Sequence, residues 1–343
     1  MAERFIDIKA VLGIDNTSDL ASVSVQRKGG GIFYREIDNV DIDDSWKAHL
    51  RPGRGAPIYN GTYVRSIWAN DEIFLLADGT TFMKHNDDGT MTTLITDIDD
   101  TDPVCYVEHT GLVYFSNNSI VGYIDLKTGL PYPFPAPYLP PIKTIRNGET
   151  VFLDNPALQF KTKMVGGHIL EWYNSRLLAA NGANLFFSDA TVPTMMDRRK
   201  NALAFKGRLT MVKAVDDGVY VSDAEAIYYE HGNDISTVTE FKRLDIPAIE
   251  GMSVMAPIRG KVAKRVVYWM TEKGPYAGYN EGIVKPMQGG LFNISGLESG
   301  TALIKDGPYQ QLLMVGKYKV GYGGSTGAFK FKAPTITSKS EGG

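Results

Sequence analysis

The most informative segment of this chain is NDEIFLLADGTTFMK, residues Asn70–Lys84. Its first half, Ile73–Ala77, is apolar, and Thr80–Met83 is β-branched, aromatic or apolar, as strands usually are. Between them, Asp78-Gly79 is a dipeptide that supplies positive φ angles in two-residue hairpin turns. The segment therefore predicts a β-hairpin with its turn at Asp78-Gly79.

The same strand–turn–strand pattern returns four more times, and a weaker sixth copy follows. The predicted turns are Asp78-Gly79, Asn117-Asn118, Asn181-Gly182, Asp223-Ala224, Glu272-Lys273-Gly274 and Gly323-Gly324. They are 39, 64, 42, 49 and 52 residues apart, and four of these five intervals are near the roughly 40–50 residues of a propeller blade. Shorter strand-like runs, such as Tyr63–Trp68 and Met91–Ile95, flank the hairpins.

This repeat predicts an all-β fold, a β-propeller of about 5–7 four-stranded blades, some degenerate, with an N-terminal arm. The alternative is a generic antiparallel meander, in which any hairpin aligns with any other. We expect an arm and hairpin at residues 1–60 that docks or closes a ring, a propeller at 61–335, and a flexible tail at 336–343. The proline-rich run PYPFPAPYLPPI, Pro131–Ile142, predicts an insertion at about residues 131–165.

Composition excludes several classes of protein. The 343 residues are 43% hydrophobic and 22% charged, as in globular proteins in water, and the net charge of −3 demands neither a nucleic-acid nor a membrane partner. Cys105 is the single cysteine, so an intrachain disulfide is impossible. The N-terminal residues lack the apolar core of a signal peptide, and we therefore expect folding in a reducing cytoplasm.

No motif in the sequence indicates chemistry. Two acidic clusters lack the spacing of calcium loops, and solvated turn carboxylates are the favoured interpretation. His168 and Glu171 form an isolated H-x-x-E, for which a structural role is expected. Nucleophile elbows, phosphate loops and paired cysteines are absent from the sequence. We expect no enzyme activity, no catalytic residues, no metal and no cofactor. The acidic clusters are Asp38, Asp41, Asp43 and Asp44, and Asp97, Asp99, Asp100 and Asp102.

One segment carries a family resemblance. The run DNVDIDDSWKAHLRPG, Asp38–Gly53, is typical of two strands, Asn39–Asp43 and Trp46–Leu50, around an acidic turn. It resembles an N-terminal pattern of tailed-bacteriophage virion proteins, in which an element similar to Gly13-Ile14-Asp15-Asn16 often precedes it. Val215–Tyr229 resembles a recurrent hairpin of that group. The resemblance covers about the first 90 residues well and the middle loosely.

The resemblance implies a tail hub or nozzle protein, a structural ring of six copies around the DNA exit channel. Its partners would be copies of itself and other tail or portal-adaptor proteins. Genomic DNA would pass without specific binding, and no membrane insertion is expected. The location would be the virion tail, after assembly in the bacterial host cytoplasm. The chain is shorter than the larger nozzle proteins, which leaves its position in the tail open. The residues expected at a subunit contact are Asp41, Asp43, Trp46, Arg51 and Pro52.

Two alternatives remain open. One is a receptor- or polysaccharide-binding tail propeller that could also depolymerise its ligand, which would need exposed tryptophans and paired carboxylates. The four tryptophans, Trp46, Trp68, Trp172 and Trp269, fall at strand positions, where core packing is expected. The other alternative is an unrelated bacterial propeller scaffold.

Overall fold

Five four-stranded antiparallel sheets follow one another along the chain, and a three-stranded sheet comes after them. The computed structural model describes residues 59–257, 265–287, 294–305 and 311–318, and only the backbone of the strands at 10–14, 31–34, 40–42, 48–50 and 326–332. From the second sheet onward, the first strand of each sheet contacts the first strand of the next. Blades of a β-propeller radiate from their inner strands in this way. The predicted fold is confirmed.

The four-stranded sheets are numbered as blades in chain order, with the inner strand first. Blade 1 consists of Val64–Ala69, Phe74–Asp78, Thr81–His85 and Met91–Ile95. Blade 2 consists of Cys105–His109, Leu112–Ser116, Val121–Asp125 and Leu130–Pro133. Blade 3 consists of Ile169–Tyr173, Arg176–Asn181, Asn184–Phe187 and Ala202–Ala204.

The remaining sheets continue the series. Blade 4 consists of Met211–Ala214, Gly218–Ser222, Ile227–His231 and Thr239–Leu244. Blade 5 consists of Ser253–Pro257, Arg265–Thr271, Gly274–Gly278 and Val284–Pro286. The three-stranded sixth sheet consists of Leu297–Lys305, Gln311–Tyr318 and Thr326–Lys332.

Among the described residues, four strand pairs and three short 3-10 helices lie outside the blades. The pairs are Ala10–Ile14 with Gly31–Tyr34, Val40–Ile42 with Ala48–Leu50, Ile142–Arg146 with Glu149–Leu153, and Lys161–Lys163 with Met195–Asp197. The helices are Pro156–Phe160, Ile235–Thr237 and Asn280–Gly282. The second of these pairs confirms the predicted hairpin of the phage-like segment at the level of the backbone. The predicted tail at 336–343 lies outside the described residues.

The core is divided into five apolar clusters, each formed by two successive sheets. Side chains alternate across a strand, so a blade between two others buries both of its faces. Along Leu177–Ala180, Leu178 and Ala180 join the cluster that contains Val219 of blade 4, whereas the alternate residues join the cluster that contains Tyr114 of blade 2. The second strands therefore form continuous apolar runs in the sequence.

The structure shifts the predicted turn of blade 1 by one residue. Asp78 ends the second strand and pairs with Thr81, so the turn consists of Gly79 and Thr80. Gly79 has a φ angle of 54°, which the first central position of a type II′ turn requires and which a side chain resists. In blade 3, Gly182 repeats this geometry with a φ angle of 59°.

Two further predictions need correction. Pro131 and Pro133 belong to the outer strand of blade 2, where a missing N–H is tolerated because the outer edge is unpaired, so the insertion begins after them. In the sixth repeat, the sequence predicts a first strand at Tyr318–Tyr322, but the strand that pairs with Thr326–Lys332 is Gln311–Tyr318. The predicted turn at 323–324 lies outside the described residues.

Candidate interaction site

The turns of blades 2 and 4 are built differently from those of blades 1 and 3. In blade 2 the Asn117 side-chain oxygen accepts backbone N–H groups from Ser119 and Ile120, both at 2.9 Å. In blade 4 the Asp223 carboxylate accepts the equivalent N–H groups of Glu225 and Ala226 at 2.8 and 2.9 Å. Asn117 and Asp223 are fully buried. Their side chains replace backbone partners within the turn, which is a structural role.

A serine precedes each of these residues and links its blade to the next. The Ser116 hydroxyl accepts the N–H of Gly167 at 2.8 Å, and the Ser222 hydroxyl accepts the N–H of Ala248 at 2.9 Å. Gly167 and Ala248 lie in the segments that lead into the following blades. We call these two contacts the serine latches. Sequence reasoning missed them, although the repeated Ser-Asn and Ser-Asp dipeptides were a visible signal.

Asp78 anchors the segment that leads into blade 1. Its carboxylate accepts hydrogen bonds from the backbone N–H groups of Thr62 at 3.0 Å and Tyr63 at 2.6 Å, and from the Tyr59 hydroxyl at 2.8 Å. Desolvation alone would raise the pKa of Asp78, but these hydrogen bonds lower it. Asp78 therefore holds the preceding segment, residues 59–63, against the hairpin, in addition to flanking the turn.

Arg208 joins three of the loops that connect successive blades. Its guanidinium lies 2.9 Å from an Asp102 carboxylate oxygen and 3.0 Å from a Glu250 carboxylate oxygen. Asp102 precedes blade 2, Arg208 precedes blade 4 and Glu250 precedes blade 5. The sequence predicts a solvated turn carboxylate at Asp102. That interpretation is wrong, because Asp102 forms an ion pair.

His168 and Glu171 do not form a joint site. The Nε2 atom of buried His168 lies 2.8 Å from the Leu209 carbonyl oxygen, and burial lowers the pKa of the ring. Glu171 instead pairs with Lys213 of blade 4 at 3.1 Å. Both residues connect blades 3 and 4, as their predicted structural role requires.

Metal-ligating side chains do not cluster within the described residues, and the single cysteine is not activated as a nucleophile. Within 59–257 and the shorter described ranges, no group of three or more His, Cys, Asp or Glu side chains could hold a metal ion. Burial raises the pKa of the Cys105 thiol to about 12, and the thiol donates to the Ser116 carbonyl oxygen. In the same part of the chain, no helix is long and apolar enough to cross a membrane.

Two glutamates face one another in blade 4. Glu230 on the third strand pairs in register with Glu240 on the outer strand. Burial, together with the Glu240 charge, raises the pKa of Glu230 to about 8. The Oε1 atom of Glu230 is buried and lacks a hydrogen-bond partner among the described residues. Glu230 is buried, whereas Glu240 is exposed, so the second carboxylate lies at the surface of the blade.

A two-stranded hairpin, Ile142–Leu153, leaves the chain between blades 2 and 3; we call it the arm. Asn147 and Gly148 have φ angles of 52° and 84°, as in a type I′ turn. Register places Lys143, Ile145, Thr150 and Phe152 on one face, because paired residues point to the same side. On this face the Ile145 side chain is 72% exposed and Phe152 is 65% exposed. The other face also exposes apolar groups, Ile142 and Leu153.

The base of the arm is attached to the propeller. The Asn155 amide donates to the Pro140 carbonyl oxygen, which closes the base. Beyond it, Lys161 lies in ion-pair contact with Asp189, and the Arg199 guanidinium lies 3.5 Å from the centre of the Phe160 ring. The arm is thus fixed at its base while its apolar side chains face solvent.

An open groove of about 430 Å³ lies between blades 1 and 2. Its lining is mainly apolar, and Tyr132, which stacks on Tyr123, is 38% exposed. Ser119 and Lys163 are the polar members of the lining. The full lining is Ile95, Phe115, Ser119, Ile120, Val121, Pro131, Tyr132, Pro133, Phe134 and Lys163.

The side chains of the predicted contact residues are outside the part of the chain that the structure describes. Asp41 lies in the strand Val40–Ile42, of which only the backbone is described. The other four, Asp43, Trp46, Arg51 and Pro52, lie outside the described residues. Their contact role stays a prediction. The arm itself was missed, although Asn147-Gly148 between two alternating apolar runs is the strongest short hairpin signal.

No family model matches the chain, and no curated protein matches it. Among solved structures, the chain is similar to PorZ, a surface component of the type-IX secretion system of Porphyromonas gingivalis, with 12% identity and a TM-score of 0.44 over 81% of this chain. That match covers 33% of PorZ, so the chain spans about a third of that protein.

Two further solved structures match over similar fractions of both chains. The WD40 domain of Pan2 from Neurospora crassa has 9% identity and a TM-score of 0.44, over 73% of this chain and 71% of that domain. The N-terminal domain of Nup159 has 9% identity and a TM-score of 0.43, over 74% and 73% of the two chains. At these identities and scores, the likenesses say nothing about function.

Proposed function

We propose that this chain is a structural protein without enzymatic activity, whose propeller is a rigid module that binds other protein chains. The observation that carries the proposal is the arm. A two-stranded hairpin alone is at best marginally stable in water, yet the arm exposes apolar side chains on both faces. Such a segment gains stability when another chain covers it.

The phage-like segment at 38–53 supports a more specific form of this proposal. The chain would be a tail hub or nozzle subunit that assembles into a ring, six copies in the nozzle proteins it resembles, next to other tail or portal-adaptor proteins. Genomic DNA would pass through the ring without specific binding. The location would be the virion tail.

Mass and symmetry of the assembled protein test this function. Sedimentation velocity of the full chain, followed by electron cryomicroscopy of the largest species, is expected to give a closed ring. In phage particles, the same density is expected at the portal end of the tail. A chain that remains monomeric at high concentration, or particles that keep their DNA and complete tails without it, would overturn the proposal.

The polysaccharide-binding alternative finds less support in the described residues. Trp269 is fully buried, and Trp172 stacks on His109 at 3.7 Å between ring centres. Trp68 packs on the core of blades 1 and 2, while Trp46 lies outside the described residues. Binding to a host glycan array, with release of sugar, would favour this alternative.

A further inference from the structure

We infer that the arm of one copy docks into the groove between blades 1 and 2 of a second copy of this chain. The inference rests on the proposed structural function and names its contact surface. The docking face is the arm face with Lys143, Ile145 and Phe152, and the receiving surface is the groove with its acidic rim.

Apolar complementarity is the first argument. Ile145 and Phe152 are the most exposed apolar side chains of the arm and lie on the same face. The groove is lined by aliphatic, aromatic and proline side chains, and its volume of about 430 Å³ can hold several such groups. Burial of both surfaces would remove apolar area from water, which favours association.

Charge complementarity is the second argument. Ile95 lines the groove and leads directly into the run Asp97–Asp100. The backbone N–H of Asp99 donates to the Ser119 hydroxyl, a groove-lining group, which places this acidic run at the rim. Asp97 and Asp100 are exposed. On the arm, Lys143 is exposed beside Ile145 and faces the same way.

The wider charge distribution points the same way. Residues 59–104 contain nine acidic and two basic side chains, a net charge of −7, whereas residues 139–213 contain five acidic and eleven basic ones, a net charge of +6. The region that carries the arm is therefore opposite in charge to the region that carries the acidic rim. Lys163 is a cation in the groove lining, so the attraction for Lys143 comes from the acidic rim and not from the groove itself. Complementary patches of this kind favour encounter and fix the register of a contact.

The contact has a definite symmetry. The arm and the groove are different patches of one chain, so every copy donates an arm and receives one. Such a heterologous contact produces a ring when successive rotations close, and a filament when they do not. A second copy that places its arm in the groove is therefore consistent with the ring of the proposed function.

Face-specific variants of the full chain test the contact. We expect Ile145→Asp and Phe152→Asp each to raise the dissociation constant of self-association at least ~10-fold, because centrally buried apolar residues dominate interface energies. Lys143→Glu should weaken association, whereas Arg146→Glu should not, because Arg146 has the same charge but lies on the other face. Adding Asp97→Lys and Asp100→Lys to the Lys143→Glu variant should restore part of the affinity. An unchanged unfolding midpoint shows that each variant is folded.

Cysteine crosslinking identifies the occupant. Copies with Phe152→Cys, mixed with copies with Tyr132→Cys, should form a disulfide between the two chains. A crosslink within one chain, in the double variant at monomer mass, would show that each arm covers its own groove and would overturn the inference. If the wild type assembles, but the arm variants assemble equally well and no disulfide forms between chains, the inference is wrong and the proposed function survives. A wild type that does not self-associate overturns both.

Discussion

The Ser222 hydroxyl accepts the backbone N–H of Ala248 at 2.9 Å, across the boundary between blades 4 and 5. Both groups are buried, and the same hydroxyl donates to the Asp223 carbonyl oxygen within its own turn. One side chain thus serves the local turn and the segment that leads into the next blade. Ser116 does the same for Gly167.

Removal of a serine latch should lower stability. Ser222→Ala leaves the buried N–H of Ala248 without its acceptor, and we expect a loss of about 1–3 kcal/mol in the free energy of unfolding. Ser116→Ala should lose a similar amount. Urea unfolding measures both. Thr93→Ala, at an exposed position of blade 1, should stay within about 0.5 kcal/mol of the wild type. Equal midpoints for all three variants would show that the latches do not stabilise the fold.

Two turn glycines should resist substitution. Gly79→Ala and Gly182→Ala add a side chain at positive φ, and each should cost about 1 kcal/mol, although the space around both positions is open. Gly207→Ala is the matched control, since its backbone lies outside the left-handed region and its new methyl group would only touch Ala224. Thermal unfolding should separate the first two variants from the third. A stabilised Gly79→Ala would contradict the turn assignment.

The stability of the protein should depend on pH through Glu230. The folded chain holds the Glu230 proton up to about pH 8, whereas the ordinary pKa is 4.5. Between these values the folded state binds more protons, so the free energy of unfolding should fall as the pH rises, by a total on the order of 5 kcal/mol. Urea unfolding at a series of pH values measures this slope.

Two variants assign the slope to this pair. Glu230→Gln should remove the dependence, and Glu240→Gln should reduce it, because the like charge opposite Glu230 is gone. Glu72→Gln, at an exposed position, should leave the slope of the wild type. A slope that persists in Glu230→Gln would mean that another group causes it.

The Arg208 network should contribute little and respond to salt. Its guanidinium is 40% exposed, so Arg208→Ala should cost about 1 kcal/mol or less. The difference in the free energy of unfolding between Arg208→Ala and the wild type should shrink as salt screens the two ion pairs. Lys206→Ala is the control, because the exposed Lys206 ammonium lies 3.5 Å from Glu225 in a single ion pair. Its effect on the free energy of unfolding should be smaller than that of Arg208→Ala at every salt concentration. A larger loss in the control would reverse this ranking.

Local pattern was enough to predict the blades, and contacts distant in sequence explain what it missed. The hairpin of blade 1 was predicted because an apolar run, a turn dipeptide and a second run are adjacent. The turn was displaced by one residue because Asp78 is a strand residue whose carboxylate binds Tyr59, Thr62 and Tyr63. Propensity cannot reveal such partners.

The candidate site was predicted less well than the fold. The proline-rich run led to the prediction of an insertion at about residues 131–165, although Asn147-Gly148 within that range specified the arm. Glu230 looks like a surface residue in sequence, and it is buried because both faces of blade 4 lie against other blades. The groove depends on residues from two blades and on Lys163, which no local pattern brings together.

The serine latches also affect how the chain matures on the ribosome. The hydroxyl of Ser222 binds the N–H of Ala248, which is synthesised 26 residues later. The hydroxyl of Ser116 binds the N–H of Gly167, which is synthesised 51 residues later. Each of these blades therefore emerges with an unfilled acceptor and is completed only when the segment that leads into its successor has been translated. Nascent chains that stall between the two partners would expose an unfinished blade edge to chaperones.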